Sequence, residues 1–420
     1  MIFVYLGLRS LRNRWMSTLL TLLSVALSVF LVIGIERIRW GAQESFSNSL
    51  SKTDLVVGAR GSDLQLLLYT VFHMGDATNN ITFESYNFVK NHPSVEWTIP
   101  ISLGDSHRGH RVVATDQNFY RHYRFQGDKS LEFASGSPAE KVFDVVVGSK
   151  VALDLGYGVG DSLVLSHGVS EVAVVKHEDK PFKVVGVLKT TGTPIDRALY
   201  ITLEGMEAIH IDWQNGVPPS VGQETKATAL LEKKFVVNQI TSFLVRTKNR
   251  IETLQLQREI NNFQEEPLMA VIPGVVLSKL WKALSYGEVA LKAVSVCVAL
   301  VSLIGLVLVL FTSLNERRRE MAILRALGLR PLKILFLLMS EALFVVLVGS
   351  VVGLFGLYMA LWMGQPFLLE SLGIFFPITF PTGMELYFLA VLFCATALVS
   401  FFPAFTAYRK SLHDGLSVRI

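Results

Sequence analysis

The sequence predicts a membrane protein: four transmembrane α-helices, with a large extracytoplasmic α+β domain between helices 1 and 2. Three observations predict it. Four apolar runs reach the length of about 20 residues needed to cross a hydrocarbon core. Between the first two runs, residues 38–287 contain no uninterrupted run of that length. The short segments that this topology leaves in the cytoplasm are basic, as the resistance of Lys and Arg to translocation requires. Composition agrees: 51% of residues are hydrophobic and 18% charged, with a mean hydropathy of +0.43. Soluble domains average about 25% charged. The net charge of +4 is small, and no basic patch interleaved with aromatics points to nucleic acid. Cys297 and Cys394 both sit in apolar runs, which excludes a disulfide framework and a CxxC metal site. They read as small buried hydrophobes.

Residues 1–15 carry Arg9, Arg12 and Arg14 and no acid, which places the N-terminus in the cytoplasm. Residues 16–35 (MSTLLTLLSVALSVFLVIGI) form the first span. A cleaved leader would have a shorter apolar core and a small-x-small site after it. Glu36-Arg37-Ile38-Arg39-Trp40 follows instead, which suits a retained anchor with Trp40 at the interface.

The domain at 38–287 then alternates strand and helix signals. Residues 53–58 read as a buried strand, and 81–91 as a helix with Thr82 at its N-cap and Pro93 as its stop. Residues 95–103 and 111–115 read as strands, and 116–123 as a short helix. In residues 144–165 a strand, a short helix and the turn Gly158-Val159-Gly160-Asp161 lead into a second strand. Residues 182–188 and 198–203 add strands around Thr191-Gly192-Thr193-Pro194. Beyond the turn-rich 217–224, a strand at 235–247, a helix at 250–265 and a strand at 268–272 belong with residues 53–123. The expected architecture is a ferredoxin-like inner subdomain with an inserted β-rich outer subdomain.

Residues 289–314 are the second span, and a basic segment at 315–331 (NERRREMAILRALGLRP) follows it. Drawn as a helix at roughly 100° per residue, this segment puts Ile323, Leu324 and Leu327 on one arc with Glu316 and Glu320. Arg318 and Arg325 fall on the opposite arc. Gly328 can close the helix in a left-handed conformation, and Pro331 suits the first turn of the next. The segment reads either as a positive-inside anchor or as a docking helix for a cytoplasmic partner. Residues 332–363 are the third span, 364–385 an external loop without Lys or Arg, and 386–405 the fourth span. Residues 406–420 form a cytoplasmic tail with Arg409, Lys410 and Arg419.

One helix, a large external domain and three further helices, in that order, resemble the FtsX-like and MacB-like (type VII) permeases of ABC transporters. Local sequence carries the resemblance as well. ERRREMAILRALGLRP runs into LLMSEALFVVLVGSVVGLFG, and the chain closes with PAFTAYRKSLHDGL. In the domain, VVVGSKVALDLGYGVGDSLVL and FKVVGVLKTTGTPIDRALYITL resemble the periplasmic core domain of that family. The resemblance implies that Glu316, Arg317, Arg318, Glu320, Ile323, Leu324, Arg325, Leu327 and Gly328 couple the chain to an ATPase. No G-x-x-x-x-G-K-[ST] occurs in the sequence, so a separate ABC ATPase subunit is expected to bind ATP and Mg²⁺, with no cofactor on this chain. It also implies a homodimer or a heterodimer with a paralogue, multi-pass in the lipid of a bacterial inner membrane, working with a periplasmic adaptor or carrier. The implied function is mechanotransmission: ATP-driven motion of the periplasmic domain for export, efflux, or lipoprotein or lipid handling. Two alternatives stay open, an FtsX-like signalling subunit that activates a periplasmic partner and a zinc-related transport or binding module.

Individual polar residues refine this picture. Glu341 lies inside the third span, where an ionisable group must face protein or water. A structural hydrogen bond is its expected role, ahead of a proton or substrate path. Gly349, Gly353 and Gly356 permit close helix approach, within the chain or across a dimer. Eight histidines fall in the external domain: His73, His92, His107, His110, His122, His167, His177 and His210. His107 and His110 are the candidates for a metal, but their spacing matches no zinc pattern, and no metal site is expected. Neither G-x-S-x-G nor H-E-x-x-H occurs, so the chain is not expected to be an enzyme.

Overall fold

The computed structural model describes residues 15–167, 179–213, 225, 227–230, 233–316, 331–372 and 381–413. They fall into two compact units, one drawn from Met1–Gly41, Leu284–Pro366 and Phe376–Ile420, the other from Ala42–Ala283 and Phe367–Phe375.

In chain order, α1 (Trp15–Asn48) is followed by β1 (Leu55–Ala59), α2 (Asp63–Val71), α3 (Phe83–Lys90), β2 (Val95–His107), β3 (His110–Thr115) and α4 (Gln117–His122). Next come β4 (Phe133–Gly136), β5 (Asp144–Val147), α5 (Ser149–Leu155), β6 (Ser162–Leu163), β7 (Ser166–His167), β8 (Phe182–Leu188), β9 (Ala198–Thr202) and α6 (Leu203–His210). The chain continues with β10 (Ser242–Thr247), α7 (Arg250–Asn261), β11 (Leu268–Val271), α8 (Pro273–Glu316), α9 (Pro331–Leu372) and α10 (Gly383–His413).

Among the described residues, four helical segments are long and apolar enough to cross a membrane: Trp15–Gly41, Pro273–Val309, Leu335–Gln365 and Gly383–Thr406. Their outward faces carry Leu20, Leu27, Leu300, Phe355, Trp362 and Phe402, large apolar side chains for which lipid is the matching solvent. Inside the unit, Val25, Val29, Ile33, Leu306, Ala342, Val346, Leu357 and Leu392 form the core. The helices overrun the apolar runs that flagged them. α1 continues to Asn48, past the expected interfacial flank, and α9 to Leu372, into residues expected as loop. Apolarity marks only the lipid-facing part of a helix, whereas its ends depend on backbone hydrogen bonds. Cys297 and Cys394 are exposed on their helices rather than buried. An outward position on a spanning helix is already apolar, so the run of apolar sequence did not imply packing against protein.

The other unit is built on one eleven-stranded sheet, with the order β11-β1-β10-β2-β3-β9-β5-β8-β4 and with β7 on β2 and β6 on β8. The strands β11, β1, β10 and the first half of β2 pair antiparallel. With helices after β1 and β10, they make the ferredoxin-like subdomain that the sequence predicts. The insert lies between β2 and β10, and it is not a separate sheet. β2 runs on past Leu103, the predicted end, and its second half pairs with β3 from Ser102 onward, with a register shift between Leu103 and Ser106. β9 then joins β3 in parallel, and β8 joins β5 in parallel.

Both faces of the sheet are covered, so its central strands are apolar at nearly every position. Leu55 and Val57 of β1, Val145 and Val147 of β5, and Leu199 and Ile201 of β9 pack with Val89, Val151, Ile209 and Leu256 of the helices. The alternate residues Val56, Val146 and Tyr200 pack with Leu66, Leu67 and Phe119 on the other face. Helix starts follow the capping residues. Thr82 accepts the Ser85 N–H at 3.2 Å, Asp116 the Asn118 N–H at 3.0 Å, Thr202 the Gly205 N–H at 3.0 Å, and Asn249 the Glu252 N–H at 3.0 Å. α7 stops at Asn261, short of the predicted Glu265, and the Asn261 side chain accepts the Ala270 N–H of β11 at 2.8 Å. The predicted strand at 235–247 contributes only Ser242–Thr247 to the main sheet, and Gln239–Ile240 pairs separately with Ile81–Thr82. Gly148 joins β5 to α5 beside the turn at Thr191–Asp196. A Cβ there would lie 2.5 Å from the Ile195 carbonyl, so only glycine fits. Asp196 holds that turn by accepting the N–H groups of Thr191 and Gly192 at 2.9 and 2.8 Å.

His73 is half-buried with its Nδ1 sealed from solvent and without a hydrogen-bond partner. Burial, reinforced by the Arg111 charge, lowers its pKa to about 4. Below the ordinary imidazole value the unfolded chain takes up a proton that the folded one refuses. Stability attributable to His73 is therefore lost as pH falls from about 6.5 to about 4, by on the order of 3 kcal/mol. Asp116 opposes this trend, since burial pushes its carboxyl up to about 6 despite hydrogen bonds to Asn118 and Phe119. Thermal melts of wild type and His73→Asn across this range isolate the histidine. The variant should lose less stability on acidification, and parallel curves would contradict the assignment.

Candidate functional sites

Of the predicted coupling residues, Glu316 is the last residue of α8. Arg317, Arg318, Glu320, Ile323, Leu324, Arg325, Leu327 and Gly328 lie outside the described residues. The site geometry therefore rests on the helical unit and on the β-rich unit, each taken by itself.

In the helical unit, α1 is the central element. Gly349 and Gly353 of α9 face it so closely that a Cβ would stand 2.9 Å from Val25 Cγ1 and 2.4 Å from the Ala26 carbonyl oxygen. Gly356 is less constrained, with Phe30 at 3.9 Å from its would-be Cβ. Gly349 and Gly353 thus make close contacts within the chain, whereas Gly356 does not. α8 meets α1 through Ser28 and Ser302, whose hydroxyls lie 2.6 Å apart in a buried contact. Glu341 is buried, at 6% exposure.

The most buried charges described in this unit could not be read from the chain. Arg37, read as part of an interfacial flank, is 5% exposed and pairs with Glu385, 3% exposed, at the start of α10. Arg37 Nη2 donates to Glu385 Oε2 at 3.0 Å and to the Tyr358 hydroxyl of α9 at 2.9 Å. Glu385 also accepts the Thr382 N–H at 2.8 Å. One guanidinium thereby ties α1 to both α9 and α10. Nearby, Glu288 of α8 accepts Lys292 at 2.6 Å and stands 3.4 Å from Arg39 of α1. Positions 348 residues apart carry no spacing signal by which such a pair could be read from sequence.

In the β-rich unit, His107 and His110 face each other across the β2–β3 hairpin, but their nitrogens are engaged elsewhere. His107 Nδ1 lies 2.6 Å from the Val164 carbonyl oxygen and Nε2 3.0 Å from the Tyr157 hydroxyl. His110 Nδ1 lies 3.2 Å from the Arg197 carbonyl oxygen. Burial, the larger influence on both, pushes their pKa values down. Both shifts favour the neutral imidazole, and the group of converging metal-type donors found among the described residues does not include them. His177 lies outside the described residues.

A different triad does converge: Asp105, His167 and His210. Asp105, fully buried near the end of β2, stands opposite His167 of β7 in the strand register. His210 ends α6. His167 Nδ1 lies 3.1 Å from Asp105 Oδ1 and 3.2 Å from His210 Nε2, and His210 Nε2 lies 3.5 Å from the same carboxylate oxygen. The other His210 nitrogen, Nδ1, is 3.0 Å from the Met206 carbonyl one turn back, a contact that requires Nδ1 to carry the hydrogen. Burial opposes a charge on His210, but Asp105 and the Met206 carbonyl outweigh it and raise its pKa. Trp213 covers the pair, its ring 4.4 Å from that of His167 and 5.4 Å from that of His210. The segment carrying Trp213 is pinned by Asp212, which accepts Lys180 Nζ and the Thr225 N–H, each at 2.9 Å.

Comparison with known proteins places the chain as follows. The profile of the MacB-like periplasmic core domain matches residues 18–263, and that of the FtsX-like permease C-terminal domain matches residues 292–412. The macrolide export ATP-binding/permease protein MacB of Azoarcus sp. (strain BH72) is 25% identical over 358 residues, covering 83% of this chain and 50% of that protein. The chain thus spans about half the length of that relative. Among solved structures, the periplasmic region of MacB from Actinobacillus actinomycetemcomitans is 9% identical, with a TM-score of 0.32, over 55% of this chain and 94% of that one. The extracellular domain of the noncanonical ABC-type transporter YknZ from Gram-positive bacteria is 13% identical, with a TM-score of 0.30, over 52% of this chain and 98% of that one.

The Arg37–Glu385 pair yields a direct test. Removing one partner strands a buried charge, at a cost of about 3–5 kcal/mol, whereas replacing both by apolar side chains is often neutral. Glu385→Ala should therefore lower the unfolding midpoint in detergent sharply, and Arg37→Met/Glu385→Leu should recover most of the loss. A stable Glu385→Ala protein would show that the pair does not hold the bundle.

Proposed function

The chain belongs to the family of MacB-like and FtsX-like permeases, and on that premise we propose that it is the transmembrane subunit of an ABC transporter. It couples ATP hydrolysis on a separate ATPase subunit, which binds ATP and Mg²⁺, to motion of its periplasmic domain. The observation that carries this reading is the order of parts: one spanning helix, a large β-rich domain, then three spanning helices, with two family profiles matched in the same order.

The physical logic runs from the cytoplasm outward. The segment at 315–331 joins two spanning helices and, read as a helix from its sequence, would set Ile323, Leu324 and Leu327 on one arc, which makes it the natural place for an ATPase to dock. Two copies of the chain, or one copy and a paralogue, sit over two ATPase subunits. Closure of the ATPases shifts α8 and α9, and the close packing of α9 on α1 at Gly349 and Gly353 transmits the shift to the helix that leads into the domain. The work is then done on cargo at the outer leaflet or in the periplasm of the bacterial inner membrane, in export, efflux, or lipoprotein or lipid handling. No substrate needs to pass between the helices.

An acidic side chain in the docking segment, on the apolar arc at Leu324 or in place of the Arg325 cation opposite it, should weaken ATPase binding by at least about 2 kcal/mol, or more than about 30-fold. Leu324→Asp and Arg325→Glu should insert normally yet fail to co-purify with the ATPase and fail to alter its turnover. Wild-type complex formation and turnover in both variants would refute the docking role.

A further inference from the structure

We infer that Asp105, His167 and His210 form a binding site for a divalent transition cation, with Zn²⁺ the best match to the donor set. The site lies wholly within the β-rich unit and does not depend on the ATPase-coupling reading.

Three features of the geometry carry the inference. The first is the shape of the donor triangle. Zinc–nitrogen and zinc–oxygen bonds of about 2.0–2.1 Å in a tetrahedron set donor-to-donor edges of about 3.3 Å. The three donor atoms here are separated by 3.1, 3.2 and 3.5 Å, so they outline one face of such a tetrahedron without rearrangement. The second is the tautomer of His210. Its Nδ1 hydrogen is committed to the Met206 carbonyl, which leaves the Nε2 lone pair directed at the triangle. Metal-ligating histidines are oriented in this way, with the second ring nitrogen donating to a backbone carbonyl or carboxylate. The third is the frame. Asp105 is fully buried in a paired strand, and the strand register sets His167 opposite it. Trp213 packs on both imidazoles and restricts their rotation.

Two imidazoles and one carboxylate favour zinc and its neighbours over magnesium or calcium, which take all-oxygen sites. A three-donor set leaves the fourth tetrahedral position to water or to a donor from a ligand, the pattern of sites that exchange or act on what they bind rather than only brace a fold. On binding, His167 coordinates through Nδ1 and carries its hydrogen on Nε2. No bond other than coordination forms, and at most one proton leaves.

The test uses the full-length protein in detergent micelles, with any polyhistidine tag removed and metal stripped by chelator. Zn²⁺ alone is titrated in competition with a chromophoric chelator, and thermal unfolding is followed in parallel. Wild type should take up one tightly held Zn²⁺ per chain, with a rise in unfolding temperature. His167→Ala and His210→Ala should each weaken binding by more than about 100-fold, beyond the 10–100-fold that loss of an outer-shell partner costs. Both should lose the thermal shift. His122→Ala, which removes a histidine stacked on Trp97 outside the triad, should bind as wild type does. A wild-type protein that takes up no stoichiometric Zn²⁺ would reduce the triad to a hydrogen-bonded His–Asp cluster and overturn the inference. So would unchanged binding in folded His167→Ala and His210→Ala proteins.

Discussion

The domain depends on one strand, Val95–His107. Its first half pairs with β10 and completes the ferredoxin-like sheet, and its second half pairs with β3 and starts the insert. A single thirteen-residue strand therefore carries hydrogen bonds for both subdomains. The sheet crosses from one to the other without an edge, so no exposed row of backbone groups separates them. The cost falls at Leu103–Ser106, where the register shifts and the strand bends. Asp105 sits in that shifted stretch, with its carboxylate buried against β7 and α6. The strand that unifies the domain also places its most chemically suggestive side chain.

The helical unit obeys a different constraint. In hydrocarbon a helix must satisfy its own backbone and neutralise any charge it buries. Arg37 is neutralised by Glu385 and steadied by Tyr358, which ties three helices at one point. Close packing at Gly349 and Gly353 and the Ser28–Ser302 contact connect α1 to α9 and α8 along its length. α1 is consequently held by each of the other three spanning helices among the described residues.

Much of the architecture was legible because it rests on local rules. Spanning runs are counted, Thr82 announces the helix it caps, and the β-α-β run after the turn-rich 217–224 points to the ferredoxin-like half. What stayed hidden was long-range. The extension of the 95–103 strand to His107 depends on a partner strand, not on its own propensity. Glu385 looked like a loop residue and Arg37 an interfacial one until the fold joined them. His107 and His110 drew attention by proximity in sequence, yet their nitrogens serve Val164, Tyr157 and Arg197. Asp105, His167 and His210 are brought together by strand register and a helix end, and spacing in the chain carries no trace of it.

The proposed function couples an ATPase on another subunit to a domain moved at a distance. The claim that motion crosses the membrane can be measured on the assembled complex. Spin labels at Leu153→Cys, on an exposed face of α5, and Tyr387→Cys, exposed on α10, in a Cys297→Ala/Cys394→Ala background, report the distance between the two units. The account predicts distinct distance distributions for the nucleotide-free and ATP-trapped complexes. A single unchanged distribution, with the partner ATPase turning over normally, would contradict it.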